Sequence, residues 1–235
     1  MLNAAALWSS LLYDFAVKAM RQGDVYPSTL LSLPYVNLPD HALLRVLQLN
    51  CVTEDYADLW NRNIGLVSAI ASPWQSMAVG LGLDSNPPTD WRPACALRSP
   101  LARRLATIEI DVLIAQELGL ELENLLNLLT AFPVLIQNEA ETFFDQLGKV
   151  VWTTASGFQR SGYQEDGRRP DRKKWEGILA QPPSELTCTA IDDTMPGGPR
   201  TVIRHFVGPF TQCDRIEDYR RAWAHFERLK SKDAA

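Results

Sequence analysis

From Asn3 to Met20 the apolar residues recur at helical spacing. Leu7, Leu11 and Phe15 form one stripe with Ala4, Trp8 and Leu12 beside it, which predicts one helix that stops before Gly23. The following stretch, VYPSTLLSLPYVNLP, carries three prolines, which forbid a long helix and favour extended chain. Asp40 is placed to cap a second helix through Leu49, and Thr53 to begin a short third one over EDYADLW. Residues 71–97, punctuated by Pro73, Gly80, Gly82, Pro87, Pro88 and Pro93, read as a loop region.

Ser99 as N-cap and Pro100 at the first helical position start the most regular segment of the chain. Leu101, Leu105, Ile108, Val112 and Ala115 make its apolar stripe, and Gly119 sits where a C-cap belongs. Leu122, Leu125, Leu126 and Leu129 predict the next helix. Past Pro133 the period changes: FFDQLGKVVWTT alternates, and a hairpin is expected around Gln146–Gly148. Gly157 to Pro170 is polar and glycine-rich and reads as a mobile loop. LTCTAIDDTMPGGPRTVIRHFV predicts two strands joined through Pro196-Gly197-Gly198-Pro199. Asp214 with Glu217 makes a capping box for a final helix to about Lys230. The fold class is therefore α+β, helix-rich in the first half, with β-hairpins and a terminal helix in the second.

Composition adds bounds rather than chemistry. A chain of 235 residues can hold one large domain or two small ones. Seven tryptophans read as packing anchors. No apolar run reaches the roughly 18–20 residues that a bilayer span requires. The N-terminus lacks the basic start of a signal peptide, so a cytoplasmic protein without membrane attachment is expected. Cys51, Cys95, Cys188 and Cys213 match no CxxC zinc spacing and read as reduced thiols.

Net charge of −5 argues against a surface that binds polyanions everywhere. Its distribution is uneven, however. No Lys or Arg lies between Arg104 and Lys149, where Glu109, Asp111, Glu117, Glu121, Glu123, Glu139, Glu141 and Asp145 supply eight negative charges. Between Arg160 and Lys174, by contrast, Arg160, Arg168, Arg169, Arg172, Lys173 and Lys174 outnumber three acids. Such a loop can contact phosphate even on an acidic body, because counterion release acts locally. The same residues also fit a plain solvated loop.

Catalytic motifs are weak. Asn86-Pro87-Pro88-Thr89 resembles the Asn-Pro-Pro-aromatic loop of amino-methyltransferases, but the fourth residue is Thr and no strand precedes it, so it reads as a proline loop. Asp192-Asp193 lacks the acid-x-Lys companion of a metal-dependent nuclease, and adjacent strand residues face opposite ways, so a strand-end role fits better. His41, His205 and His225 lie far apart, and Gly148-Lys149 lacks the rest of a P-loop. No metal, cofactor or catalytic residue is indicated. Arg103 and Arg104 oppose the dipole at the start of their helix, which calls for an acidic partner inside the protein or a phosphate.

Several stretches, in order, resemble the C-terminal region of large bacterial restriction–modification methylases that fuse an N6-adenine methyltransferase to a specificity domain. LWSSLLYDFAVKAM followed by TLLSLPYVNLP is similar to the end of their target-recognition domain, and LLRVLQLNCVTEDYADLW to the helical stretch after it. RRLATIEIDVLIAQELGLELENLLNLLTAFPVLIQNEAETFFDQLGKVVWT resembles the tail beyond, and IDDTMPGGPR with FTQCDRIEDYRRAW its closing hairpin and helix. The resemblance implies an end of a target-recognition-like element over 1–40 and a helical and hairpin tail over 41–235. It implies DNA recognition or scaffolding in defence against foreign DNA, alongside a methyltransferase or another defence subunit, in cis or in trans. No catalytic residue carries over, since the family's SAM-binding motifs and Asn-Pro-Pro-aromatic loop lie upstream of this region. The chain is then either a separately encoded tail or a piece of a longer polypeptide whose whole would be a DNA adenine methyltransferase.

Two readings follow. In the first, a non-catalytic DNA-recognition or scaffold module contacts phosphate through Arg160, Arg168, Arg169, Arg172, Lys173 and Lys174, with Lys18 and Arg21 as helpers. In the second, acidic, Leu-rich helices dock a larger defence protein and never touch DNA.

Overall fold

The computed structural model describes residues 1–21, 25–67, 71–74, 76–83, 87–155 and 161–233. The chain is α+β and divides into two compact units. Residues 1–98, 102–133 and 215–235 form the first, and residues 99–101 and 134–214 the second. No helix among the described residues is long and apolar enough to cross a membrane.

The first unit is helical. The single helix predicted over residues 3–20 is instead two, α1 (Leu2–Ser9) and α2 (Leu11–Ala19). Ser10 between them is extended, at φ −86° and ψ 151°, and its Oγ accepts the Tyr13 N–H. A serine that caps offers the backbone an alternative to continuing the helix. The proline stretch contains a short helix, α3 (Pro27–Ser32), because Pro27 stands in the first turn, where no backbone N–H is needed. Leu33 and Pro39 are extended, at ψ 143° and 156°, with neither helix nor strand between them. Helices α4 (Asp40–Asn50) and α5 (Ala57–Asn63) follow, then a single turn, α6 (Ala78–Leu81), within the long loop region.

Helix α7 (Pro100–Glu117) begins at Pro100, and Gly119 follows it at φ 70°, as its flanking residues predict. Its environment differs from a one-stripe helix. Ala102, Ala106, Ile110, Leu113 and Ile114 are buried along with the predicted stripe, so from Arg104 to Ala115 every residue of α7 but the half-buried Thr107 is enclosed. Helix α8 (Leu122–Leu128) follows, and α11 (Arg215–Asp233) closes the unit, with Tyr219, Ala222, Trp223 and Phe226 buried. A satellite core joins Leu44, Leu47, Cys51, Trp60, Ile64 and Cys95. Trp60 donates from Nε1 to Pro88 O at 3.0 Å, so the proline loop braces this cluster. Asn86, the motif's first residue, lies outside the described residues.

The acids of α7 are structural. Glu109 is fully buried; Arg45 Nε donates to it at 2.7 Å, Ser72 Oγ donates at 3.3 Å, and His41 Nε2 bonds its Oε2. Burial alone would push this carboxyl up; the Arg45 and His41 charges and hydrogen bonds outweigh it and hold Glu109 at about 2. Two residues on, Asp111 accepts the otherwise orphaned Leu11 N–H of α2 at 2.8 Å and the Tyr219 hydroxyl of α11 at 2.7 Å. Arg104 pairs with Asp218 at 2.6 Å, and Arg103 donates to the Leu49 and Leu97 carbonyls. An acidic partner within the protein thus answers Arg104, and the carbonyls of Leu49, near the end of α4, and of Leu97 answer Arg103.

The second unit holds both small sheets. Strands β1 (Thr142–Phe144), β2 (Val150–Thr153) and β5 (Thr211–Gln212) form an antiparallel sheet in the order β2-β1-β5, with helix α9 (Pro133–Ala140) before it. The predicted hairpin at 146–148 joins β1 to β2. Buried Asp145 tightens it by accepting the N–H groups of Leu147, Lys149 and Val207. Strands β3 (Glu185–Asp192) and β4 (Arg200–Val207) pair antiparallel in full register from Glu185↔Val207 to Asp192↔Arg200. Their connection runs through Gly197 and Gly198 at positive φ, which only glycine adopts cheaply. Leu186, Cys188 and Phe206 face the unit's core.

Candidate nucleic-acid interface

Two tryptophans supply the floor on which the basic segment sits. Trp152 of β2 and Trp175 stack with ring centroids 5.8 Å apart and 4° between planes, with Phe143 and Phe210 against Trp175. Trp175 belongs to a helix that the sequence analysis missed, α10 (Arg172–Ala180), capped by the Asp171 carboxylate on Lys174 N–H at 2.9 Å. Its signal was present: Pro-Asp before the start, then Trp175, Ile178 and Leu179 at i, i+3 and i+4. The run Arg-Lys-Lys, which reads as solvated loop, hid it.

The described part of the segment expected to be mobile is pinned at several points. Asp166 and Gly167 have φ of 48° and 74°, as a two-residue hairpin turn requires, and Glu165 and Arg168 exchange both backbone hydrogen bonds across it. Tyr163 N–H donates to Val151 O at 2.8 Å, and Trp152 Nε1 to Pro170 O at 2.9 Å. Gly162 runs so close to β2 that a Cβ there would lie 2.5 Å from Val151 O. Residues 156–160 of that segment, with the candidate Arg160, lie outside the described residues.

The remaining candidates divide by environment. Arg168 and Lys173 are exposed. Arg172 pairs with Glu141 at 2.6 Å, and Lys174 with Glu165 at 3.2 Å. Hydrogen bonds from Thr154 and Arg172 keep Glu141 below the usual carboxylate range. Arg169 is half-buried, its guanidinium 5.9 Å from the Trp152 ring and bonded to Thr153 O, so its first duty is packing. Lys18 and Arg21 belong to the first unit: Lys18 pairs with Asp14 at 2.7 Å and lies 4.5 Å from the Phe132 ring centroid, and Arg21 is exposed at φ 53°. The structure thus gathers Arg168, Arg169, Arg172, Lys173 and Lys174 on one turn and helix start. Surface pairs such as Arg172–Glu141 are screened by solvent and hold their partners weakly, so a phosphate can compete for these cations.

A second basic grouping escaped the sequence analysis. Lys149, Arg204 and His205 line a cleft of about 560 Å³ within the second unit, walled by Pro100, Val150, Ile203 and Phe206. Lys149 Nζ donates to His205 O at 3.0 Å, Arg204 donates to Gly162 O at 3.1 Å, and His205 Nδ1 bonds Thr187 Oγ1 at 3.0 Å. Fifty-five residues separate Lys149 from Arg204, and no periodicity in the sequence links a hairpin turn to the strand beside it.

Features that tempted a metal reading are otherwise engaged. Asp192 accepts Thr194 Oγ1 and N–H and the Arg200 guanidinium, and these bonds, Thr194 first, bring it to about 2. No group of three or more His, Cys, Asp or Glu among the described residues could hold a metal ion. Cys51, Cys95 and Cys188 are buried free thiols, and Cys213 is half-buried. Comparisons with protein-family models, with curated proteins and with solved structures give no match to this chain.

Proposed function

We propose that this chain is a non-catalytic, cytoplasmic DNA-contacting module, acting beside an adenine methyltransferase or another defence subunit, in cis or in trans. The observation that carries the reading is the held basic turn: five cations and three acids between Glu165 and Lys174, fixed by a hairpin, an Asp171 cap and a tryptophan floor. Contacts of this kind go to the phosphate backbone; they position a protein and carry no base information. A fixed element loses less side-chain entropy on binding than a loop does. The burial of Glu109, Asp111 and Asp145 also favours it, because three of the eight acids counted between Arg104 and Lys149 are buried and do not face DNA. The test is fluorescence anisotropy of a labelled duplex at low salt, with and without a methyltransferase partner. Binding lost in Arg168→Glu/Lys173→Glu supports the reading; absence of duplex binding by the parent chain in both conditions removes it.

An adaptor reading stands second, on a different surface from the one the acidic helices suggest. With Arg104 to Ala115 buried apart from half-buried Thr107, the middle of α7 offers a partner little surface. The first unit instead exposes Trp8, Leu31 (87% exposed) and Tyr35 around an apolar groove of about 410 Å³. Exposed apolar patches of this kind mark protein, membrane or ligand contacts. Trp8→Ser/Leu31→Ser should abolish partner capture under this reading and leave duplex binding unchanged.

A further inference from the structure

The β3–β4 hairpin has two unlike edges. Gly208 N–H donates to Ser184 O at 2.7 Å, so in this register Ser184, Leu186, Cys188 and Ala190 turn their backbone groups toward β4. The residues between them turn theirs away. On β4 the outward groups are partly covered: Val207 N–H donates to Asp145, Val207 C=O accepts from Gln146 N–H, and His205 C=O accepts from Lys149 Nζ. On β3 they are open. Glu185, Thr187, Thr189 and Ile191 are exposed, and their outward N–H and C=O groups have no hydrogen bond among the described residues.

Proteins guard such an edge with proline, lysine, a bulge or a short strand. β3 has none of these guards: ELTCTAID is 8 residues long and in unbroken register with β4. The side chains beside the open groups, Thr187, Thr189 and Ile191, are β-branched, which suits a strand-pairing surface. Charge on this edge has one sign. No Lys or Arg lies between Lys174 and Arg200, and exposed Glu185 and Asp193 stand at the two ends of the edge. A second copy paired antiparallel along the whole of β3 sets Glu185 opposite Asp193, acid against acid, at both ends. A segment with cations at its ends meets the opposite charge instead.

We propose that the outer edge of β3 is a strand-addition site for an extended, basic-ended peptide segment of a partner protein. The segment adds a third strand to the β3–β4 sheet, held by main-chain hydrogen bonds to Glu185, Thr187, Thr189 and Ile191. Its β-branched residues lie beside Thr187, Thr189 and Ile191 on the solvent face. From Glu185 to Asp193 the edge spans about 27 Å, which places the two cations of the segment about eight residues apart. The site shares no residue with the Glu165–Lys174 turn or with the groove beside Trp8, Leu31 and Tyr35, and it stands whether or not the chain contacts DNA.

The experiment uses the full chain and one probe, the peptide acetyl-Lys-Thr-Val-Thr-Val-Thr-Val-Thr-Lys-amide, followed by ¹⁵N NMR and amide hydrogen exchange. In the chain alone the Thr187, Thr189 and Ile191 amides should exchange fast, and those of Leu186, Cys188 and Ala190, which face β4, slowly. Saturating peptide should slow the first set at least about tenfold and leave the second as it was. Thr189→Pro removes an outward N–H without touching the β3–β4 bonds and should abolish peptide binding. Thr189→Lys keeps the backbone donor, puts a guarding cation on the edge and should weaken binding about tenfold. The same peptide with Glu at both ends should bind at least about tenfold more weakly than the Lys-ended one. Equal binding of the two peptides overturns the proposal, as does protection at Thr201 and Ile203 of β4 in place of β3. So does a self-associated chain whose Thr187, Thr189 and Ile191 amides are already slow without peptide, since the occupant is then a second copy.

Discussion

Glu109→Gln tests the core of the first unit, and its size can be worked in two ways. The carboxylate is fully buried and serves Arg45, His41 and Ser72 at once. Removing the charge leaves the Arg45 guanidinium buried without its counter-ion, a change that costs about 3–5 kcal/mol. Independently, the carboxyl sits at about 2 against 4.5 when unperturbed, and at about 1.4 kcal/mol per unit this linkage amounts to about 3 kcal/mol. The sign is that of a depressed acid. The stabilisation is complete above pH 4.5 and is lost as pH falls from there toward about 2. Urea unfolding at pH 7 should show the variant about 3 kcal/mol less stable, with a flatter acid limb than the parent. Since domains have only about 5–15 kcal/mol in hand, this is a large fraction of the total. Arg45→Met/Glu109→Leu should recover part of the loss seen in Glu109→Leu alone, because both charges then leave the core together. A Glu109→Gln protein within about 1 kcal/mol of the parent, with the same acid limb, would refute the buried network.

Other outcomes follow from single contacts. His225 is held below its ordinary value first by burial, with Arg228 and His41 adding to it against the Ala71 carbonyl, so folding excludes its proton. Stability should therefore fall as pH drops below 6.5, and His225→Asn should flatten that window in urea titrations while leaving the Glu109 window intact. Gly162→Ala places a Cβ against Val151 O at φ 94°, and thermal melts should show at least about 1–3 kcal/mol of destabilisation. Ser10→Ala removes the α2 cap and should cost about 1 kcal/mol in urea unfolding.

What the sequence made legible was local. Ser99-Pro100 and Gly119 bracket α7, Pro196 to Pro199 marks the β3–β4 turn, and runs of β-forming residues mark β1 and β2, because caps, turns and strand propensities are written in adjacent residues. What it concealed depends on partners far away. Ser10 breaks the first helix, but the Leu11 N–H that the break frees is met by Asp111, one hundred residues on. Glu109 and Asp111 read as solvent-facing acids until α4, α2 and α11 supply their cations, hydroxyls and amides. For the same reason a count of charges overstated the acidic surface. The basic turn was half legible: its residues are consecutive, but the cap and the tryptophan stack that hold them were hidden under a polar run. The Lys149–Arg204–His205 cleft was invisible, since only packing joins a hairpin to a strand.

The salt dependence of duplex binding tests the central claim most directly. The slope of log K against log salt gives about −0.9 per phosphate contact released. The parent chain should bind duplex with a clear negative slope, and Arg168→Glu/Lys173→Glu should make that slope shallower by about 2 as well as weaken binding. Duplex binding whose slope and strength do not change in this variant would contradict the assignment of the Glu165–Lys174 turn as the DNA contact.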